Sequence, residues 1–251
     1  MEGINFNKSI ELNEEIKKQP DLVVNFIRHG KPEYTSEEKV AGEYEGNLTA
    51  EGIAQIEKSA LDLVADIDKG KEIVLIWKSP KRRAQQSAEI IKNVLINNGV
   101  QVLEKKASAN KISLKDTKLG PSFSTPDWSN WMEEWVKQET ELPGDTEKPE
   151  EVKSRVGRVL TYLEKISKKV KPDAGKRLRI VCVTHEEMFR DLLEEGFETG
   201  TQKGTGPTYG ETLKINISSA PDKGDASFDM KYRGRDSRVK FDNKTRQFSK
   251  T

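Results

Sequence analysis

Three short apolar runs rich in valine and isoleucine constrain the fold of this chain more than any other feature: residues 22–27, 72–77 and 180–184. Runs of this kind are typical of strands that are buried on both faces of a parallel sheet. Between them, apolar residues recur at helical spacing in residues 53–67, 84–94 and 152–166. This alternation predicts a three-layer α/β fold, with a mostly parallel sheet and helices on both faces.

The chain has only two histidines, and each follows one of these runs: His29 within Arg28-His29-Gly30, and His185 directly after Thr184. The carboxyl ends of parallel strands meet at one edge of the sheet, where open α/β folds bind ligands. A single histidine at a strand end is more often structural than catalytic. Two of them at the same predicted edge, with an arginine attached, favour a functional site.

The apolar run at residues 72–77 leads into a segment suited to an anion. Ser79 fits a helix N-cap and Pro80 the first helical position. The free N–H groups at such a helix start favour a bound anion. Arg82 and Arg83 fall in the first turn, and a guanidinium matches two phosphate oxygens at once. The sequence therefore predicts phosphate binding at this edge.

Three segments together resemble the histidine phosphatase superfamily, also called phosphoglycerate mutase-like: FIRHGKPEY from Phe26, SPKRRAQQSA from Ser79 and VTHEEMFRDLL from Val183. A weaker fourth match is LTAEGIAQ from Leu48. The matches occur in the family's order and span roughly residues 22–193. The resemblance implies the phosphoglycerate mutase-like version of the α/β fold, and a phosphatase acting on a small phosphomonoester, with a phosphomutase as the alternative.

The resemblance also implies a role for each matching residue. His29 corresponds to the nucleophile that accepts the phosphoryl group, and His185 to the second histidine, which contacts the phosphoryl oxygens. Arg28 and Arg83 correspond to the phosphate-binding arginines, which leaves Arg82 as a spare. A histidine nucleophile with a cationic site can carry out phosphoryl transfer without a metal, so no cofactor is expected.

Glu186 is the first candidate for the general acid, and Asp116 and Glu133 are the next candidates. Glu186 follows His185, as a carboxyl does in the acid phosphatase branch of the family, and Glu187 competes with it for that position. In the mutase-like branch the acid comes from the middle insertion, here about residues 105–150. Within that insertion, the rival candidates are Asp116, Asp127, Glu133 and Glu134.

Part of the family's phosphate site is replaced in this chain. The serine and asparagine usual after Arg-His-Gly are missing, and Pro32 and Thr35 stand near their positions. Two other classes of function are considered: a metal-dependent hydrolase using His29, His185 and an acid, and an inactive binding module. The adjacent arginines argue against a metal, because cations repel it, and the complete set of matching residues argues against an inactive protein.

The charge and composition limit the classes of partner that we expect for this chain. The net charge is +1, so no overall basic field indicates a nucleic acid or a membrane surface. The N-terminus lacks the apolar stretch of a signal peptide, and no run approaches the roughly 20 apolar residues of a membrane helix. With a single cysteine, Cys182, in a predicted strand, these features lead us to expect a cytoplasmic protein. The oligomeric state is not predicted.

We expect three regions: a polar N-terminal extension at 1–20, the main domain at 21–218, and a basic, β-rich extension at 219–251 that adds an antiparallel edge to the sheet. Its basic residues favour a solvated sheet edge over a nucleic-acid site. In the insertion, Trp128, Trp131 and Trp135 are spaced as on one helix face. That spacing favours rings that pin the insertion to the sheet over a substrate wall.

Overall fold

The computed structural model describes residues 20–41, 44–103, 114–120, 122–124, 128–170, 175–218, 226–242 and 244–250. The expected N-terminal extension, apart from Pro20, lies outside the described residues, and so does Asp127 of the insertion.

Strands and helices alternate through the first two thirds of the chain. The strands are β1 (Leu22–Arg28), β2 (Pro32–Glu33), β3 (Asn47–Leu48), β4 (Glu72–Lys78), β5 (Arg177–Thr184), β6 (Thr212–Ser218), β7 (Ala226–Tyr232), β8 (Arg235–Asp242) and β9 (Gln247–Lys250). The α-helices are α1 (Ser36–Ala41), α2 (Ala50–Asp66), α3 (Arg82–Asn97), α4 (Trp131–Lys137), α5 (Pro149–Lys169) and α6 (Arg190–Phe197). Short 3₁₀ turns precede α4 at Trp128–Asn130 and α6 at Glu186–Met188.

The main sheet has seven strands in the order β4-β5-β1-β6-β7-β8-β9. The three apolar runs form its parallel core, in which β5 lies between β4 and β1. The other four strands are antiparallel, so the predicted α/β fold with an antiparallel edge is confirmed. Residues 100–103, a strand candidate from the sequence, contribute only an isolated bridge from Val102 to Val74 of β4.

Each face of the sheet carries its own apolar cluster. On one face, α2 and α3 cover side chains such as Ile27 and Val183. On the other, α4, α5 and α6 cover the alternate residues, such as Phe26 and Cys182, and this cluster continues under β7 and β8. Because strand side chains alternate between faces, two apolar clusters require apolar residues on both sides of the core strands, and Asn25, Glu72 and Arg179 are buried polar exceptions.

Two helix ends follow the sequence, and one does not. Thr49 caps α2 by accepting from the backbone N–H of Gly52, and Gly99, with a positive φ, follows the end of α3. The prediction of Ser79 as the cap of α3 is wrong, because that helix begins at Arg82 with Lys81 at the cap. Ser79 instead hydrogen-bonds to a histidine across the sheet edge, as described below.

A buried charge cluster joins the three parallel strands at the end opposite the histidines. Arg179 of β5 is 1% exposed and contacts three acceptors. Its Nε donates to Glu72 of β4 at 2.9 Å, and its Nη1 donates to Asn25 of β1 at 2.9 Å and to Asp66 of α2 at 2.7 Å. Each partner lies on a different element, so Arg179 ties them together.

The C-terminal strands extend the main sheet, as the sequence suggests, and a tight turn joins β7 to β8. β7 ends at Tyr232 and β8 begins at Arg235. Arg233 and Gly234 make the whole turn, both with positive φ (48° and 74°). Two such residues fit the right-handed twist of a hairpin.

The three tryptophans of the insertion do not share one environment. Trp135 is buried in the apolar cluster on one face of the sheet, and the guanidinium carbon of Arg190 in α6 lies 5.2 Å from its ring centre, so Trp135 pins the insertion as predicted. Trp131 hydrogen-bonds to Glu186, which lies beside the candidate site. Trp128 is 55% exposed.

Within the described residues, no helix is both long and apolar enough to cross a membrane.

Candidate active site

His29 lies directly after β1, where two glycines let the chain pack against the start of α2. A Cβ on Gly30 would come within 2.3 Å of the carbonyl oxygen of Gly52, and one on Gly52 within 2.2 Å of that of Lys31. Both distances are shorter than van der Waals contact permits. The glycine of the Arg-His-Gly motif is therefore required by this close approach, which fixes the backbone beside His29.

The hydrogen bonds of His29 define its tautomer. The carbonyl of Gly30 lies 2.8 Å from Nδ1 and can only accept, so Nδ1 carries the proton. Nε2 lies 3.0 Å from the Nε of Arg83, which can only donate, so Nε2 holds a lone pair. Burial, together with the charges of Arg83 and Arg28, holds the pKa of His29 well below the usual histidine value. The imidazole is thus neutral, with Nε2 directed at a guanidinium.

Arg83 lies in the first turn of α3 and joins several parts of the site. Its Nη1 donates to the carbonyls of Tyr44 and Glu45, and its Nη2 lies 3.3 Å from Nδ1 of His185. Nη2 also pairs with Asp116 at 2.8 Å. The guanidinium is almost fully buried, whereas that of its neighbour Arg82 is about half exposed and lies 3.9 Å from Glu38.

His185 follows β5 and faces His29, with ring centroids 5.0 Å apart. Its Nε2 lies 2.6 Å from the hydroxyl oxygen of Ser79. Burial is the main cause that lowers the pKa of His185 well below the usual value, and the neighbouring His29 and Arg83 add to it. The two histidines and Arg83 therefore meet at the predicted sheet edge.

Arg28 borders the same space from the side of β6. Its Nη1 forms a salt bridge with Glu186 at 2.8 Å and donates to the carbonyl of Pro207 at 2.5 Å. Its guanidinium carbon lies 4.2 Å from the ring centre of Tyr209, and the same ring lies 5.6 Å from that of His29. Among the described residues, its buried Nε has no hydrogen-bond partner. An oxyanion would supply the missing acceptor.

The candidate acids occupy different positions. Asp116 and Glu186 each pair with one of the buried arginines, so both border the site. Burial raises the pKa of Glu186, while the charge of Arg28 opposes that rise. Glu187 is fully buried, accepts from the backbone N–H of Thr117, and has a pKa raised to about 7 by burial and by the charge of Asp116.

Glu133 of the insertion belongs to another contact. It pairs with Lys137 at 2.6 Å and accepts from the backbone N–H of Lys203 at 3.1 Å. Hydrogen bonds from Lys137 and Lys203 lower its pKa, which favours the ionised form and makes it a poor proton donor. Within the described part of the chain, no hydrogen bond or salt bridge joins Glu134 to either histidine or to the two buried arginines.

The start of α3 does hold an anion, but it is a side chain of the protein. The carboxylate of Glu45 accepts from the backbone N–H of Arg82 at 3.1 Å and from Nζ of Lys81 at 3.0 Å. The expectation that this helix start is free for phosphate is therefore wrong for the N–H of Arg82. The prediction of phosphate binding at this edge then rests on the side chain of Arg83.

A metal site would need several ligands around one point. Among the residues described, no group of three or more histidine, cysteine, aspartate or glutamate side chains could hold a metal ion. The two nitrogens that would bind a metal, Nε2 of His29 and Nδ1 of His185, instead face the guanidinium of Arg83. A permanent cation already occupies the space between them, and it would repel a metal.

Sequence reasoning missed Tyr209 and the role of Ser79. Tyr209 lies more than 170 residues after Arg28, in the irregular segment before β6, and has no periodic pattern around it. The one signal was the Gly-Pro-Thr-Tyr-Gly stretch at 206–210, which marks a turn at the edge where β6 begins.

The comparisons with known proteins agree with this geometry. A model of the histidine phosphatase superfamily (branch 1) matches residues 24–218, well over half of the chain. The chain belongs to the histidine phosphatase superfamily. The matched region contains Arg28, His29, Arg83 and His185, and it ends with β6.

Solved structures of other members share the fold of this histidine phosphatase superfamily protein. A structure described as mycobacterial hydrolase 1 matches with a TM-score of 0.53 and 14% identity, covering 86% of this chain and 99% of the other. A mycobacterial glucosyl-3-phosphoglycerate phosphatase in complex with VO3 matches with a TM-score of 0.50 and 15% identity, covering 84% and 97%. No curated protein sequence matches the chain significantly.

Proposed function

We propose that this protein is a phosphatase that removes the phosphoryl group from a small phosphomonoester through a phosphohistidine on His29. One observation carries the proposal: Nε2 of a neutral, buried His29 lies 3.0 Å from a donor of Arg83, while Nδ1–H is held by the carbonyl of Gly30. The tautomer is thus set for attack by Nε2, and a guanidinium stands where negative charge on a phosphoryl group would need stabilising.

In the first step, the Nε2 lone pair of His29 forms a bond to phosphorus as the bond from phosphorus to the ester oxygen breaks. The leaving alkoxide takes a proton from a carboxyl group. In the second step, water gives that proton back to the carboxylate and its oxygen displaces Nε2, which releases inorganic phosphate. Arg28, Arg83 and His185 stabilise the phosphoryl oxygens in both steps, so no metal is required.

For the carboxyl that gives this proton we propose Asp116, with Glu186 as the alternative. Asp116 shares the Nη2 of Arg83 with His185, which places it beside the group that contacts both histidines. The family resemblance also favours an acid from the insertion. The side chain of Glu186 contacts Arg28 and Trp131.

Rapid quenching of a reaction with ³²P-labelled phosphomonoester tests the proposal. We expect an acid-labile, base-stable label on the wild type and none on His29→Ala, which should also lose turnover. Label that persists in His29→Ala would show that another residue is the nucleophile. Transfer of the label to a second oxygen of the same product, instead of release as inorganic phosphate, would indicate a phosphomutase.

A further inference from the structure

The turn between β7 and β8 reaches the candidate site from outside the region that the family model matches, which ends at residue 218. Arg233, the first residue of the turn, binds both carboxylate oxygens of Glu211, through Nε at 2.6 Å and Nη2 at 2.8 Å. Its Nη2 also donates to the carbonyl of Gly206 at 2.9 Å. Tyr232, the last residue of β7, donates its hydroxyl to Glu211 at 3.0 Å. One hairpin thus holds both ends of residues 206–211.

These six residues, which we call the 206–211 segment, lie against Arg28. The backbone N–H of Gly210 donates to the carbonyl of Arg28 at 3.0 Å, and the N–H of Arg28 donates to the carbonyl of Glu211 at 3.1 Å. The carbonyl of Pro207 accepts from the guanidinium of Arg28, and the ring of Tyr209 stacks on it. The segment, together with the salt bridge from Glu186, therefore sets the direction of the Arg28 guanidinium.

We propose that Arg233 is a positioning residue for phosphate binding, which acts through the 206–211 segment on Arg28. The inference rests on the proposed function, since it assigns Arg28 to the bound phosphoryl group. Glu211 receives three of its contacts from the hairpin, and only its bonds to Thr208 come from the segment itself. Without Arg233, the segment loses its links at Gly206 and Glu211 together, and Arg28 loses a fixed orientation before phosphate arrives.

Arg233 is suited to this role because the hairpin does not depend on it for folding. Seven residue pairs join β7 to β8, and Phe228, Met230, Val239 and Phe241 of these strands are fully or almost fully buried in the core. The side chain of Arg233 is 39% exposed and packs on the ring face of Tyr232. Its removal should therefore loosen the 206–211 segment while the sheet stays intact.

The test compares Arg233→Ala with Arg238→Ala in the full chain. Arg238 is a matched control, because it lies on the same hairpin and pairs with a carboxylate, Asp229, but not with the 206–211 segment. Two readouts are measured: amide hydrogen exchange in residues 206–211, and the dissociation constant for inorganic phosphate by calorimetry. We expect Arg233→Ala to speed exchange and weaken phosphate binding by about two- to fivefold, as for a partly exposed ion pair, and Arg238→Ala to change neither.

A second variant keeps the test decisive if Arg233→Ala folds poorly. Tyr232→Phe removes only the hydroxyl that binds Glu211 and should change both readouts in the same direction by a smaller factor. Unchanged exchange in both variants, faster exchange with unchanged phosphate affinity, or equal effects from Arg238→Ala would each overturn the inference. A wild type without phosphatase activity would count against the proposed function alone, because exchange and phosphate binding are measured without turnover.

Discussion

The guanidinium of Arg83 donates its Nε–H to Nε2 of His29 over 3.0 Å. Nε2 of His29 is the nitrogen that we assign to attack on phosphorus. Nη2 of Arg83 lies 3.3 Å from Nδ1 of His185, so the same guanidinium contacts both histidines. A phosphoryl group bound to Nε2 would take the place of the lone pair as the acceptor for Arg83. The arrangement leads to four predictions.

The first prediction separates the two neighbouring arginines. Arg83→Ala should weaken the binding of inorganic phosphate by about 10- to 150-fold, the loss expected for a hydrogen bond to a charged group. Arg82→Ala is the matched control, because the side chain of Arg82 is about half exposed and its charged partner, Glu38, lies 3.9 Å away. Inhibition constants for phosphate measure both. Equal effects would mean that the register of α3 in the site has been misread.

The second prediction concerns the proton donor. Asp116→Asn should slow hydrolysis of an alkyl phosphate by about 10²–10⁴-fold, because the alkoxide leaves poorly without a proton. It should affect p-nitrophenyl phosphate little, since nitrophenolate leaves unprotonated. Glu186→Gln should change both substrates by a similar, smaller factor, through its contact with Arg28. The reverse pattern, with Glu186→Gln selective for the alkyl ester, would assign the acid to Glu186.

The third prediction concerns metal ions. Turnover of a phosphomonoester should persist in excess EDTA, because Arg28 and Arg83 supply the positive charge that a metal would otherwise provide. Activity assays before and after dialysis against the chelator measure this. Loss of activity that returns only with added zinc or manganese would support the metal-dependent alternative.

The fourth prediction concerns stability below neutral pH. The folded protein keeps His29 neutral because burial lowers its pKa, whereas the unfolded chain binds a proton near the usual histidine pKa of about 6.5. The contribution of His29 to the free energy of unfolding is therefore complete above the pKa of the unfolded chain and is lost as the pH falls below that pKa. Urea unfolding at pH 7.5 and 5.5 should show a smaller decrease for His29→Asn than for the wild type.

A carboxyl with the opposite shift provides the control for that experiment. Burial raises the pKa of Glu187 to about 7, so its contribution is present at low pH and is lost as the pH rises through 7. Glu187→Gln should therefore make the decrease in stability between pH 7.5 and 5.5 steeper than in the wild type. Parallel behaviour of the two variants would contradict the assignment of buried, neutral His29.

The strand ends were predictable because the carboxyl-terminal half of each core strand is largely apolar, so the first charged residue or histidine after it marks the edge of the sheet. That argument placed His29 and His185, and the register of Arg83 before Ala84 followed from the family pattern. The positions of Ser79, Glu45 and Tyr209 were not predictable in this way. Each makes its contact across 30 residues or more, from segments whose path depends on tertiary packing.

The choice of the general acid also depended on tertiary packing. The position of Glu186 directly after His185 favoured it as the acid, but a side chain that follows a strand can point to either side of the next turn. Here the 3₁₀ turn at Glu186–Met188 directs Glu186 to Arg28 and buries Glu187 against the segment of Thr117. No feature of the sequence indicated that Asp116 contacts Arg83, because the two residues are 33 positions apart and meet only in the folded structure.

The cluster around Arg179 has a consequence for the opposite end of the sheet. A shift of β5 by two residues would keep its apolar faces matched, yet it would move His185 about 7 Å along the strand, away from His29. The same shift would pull Arg179 from Glu72 and Asn25 and leave a buried charge without partners, at a cost of about 3–5 kcal/mol. The ion pairs of Arg179 at one end of the strands thus fix the register of β5, and this register determines the distance between the two histidines at the other end.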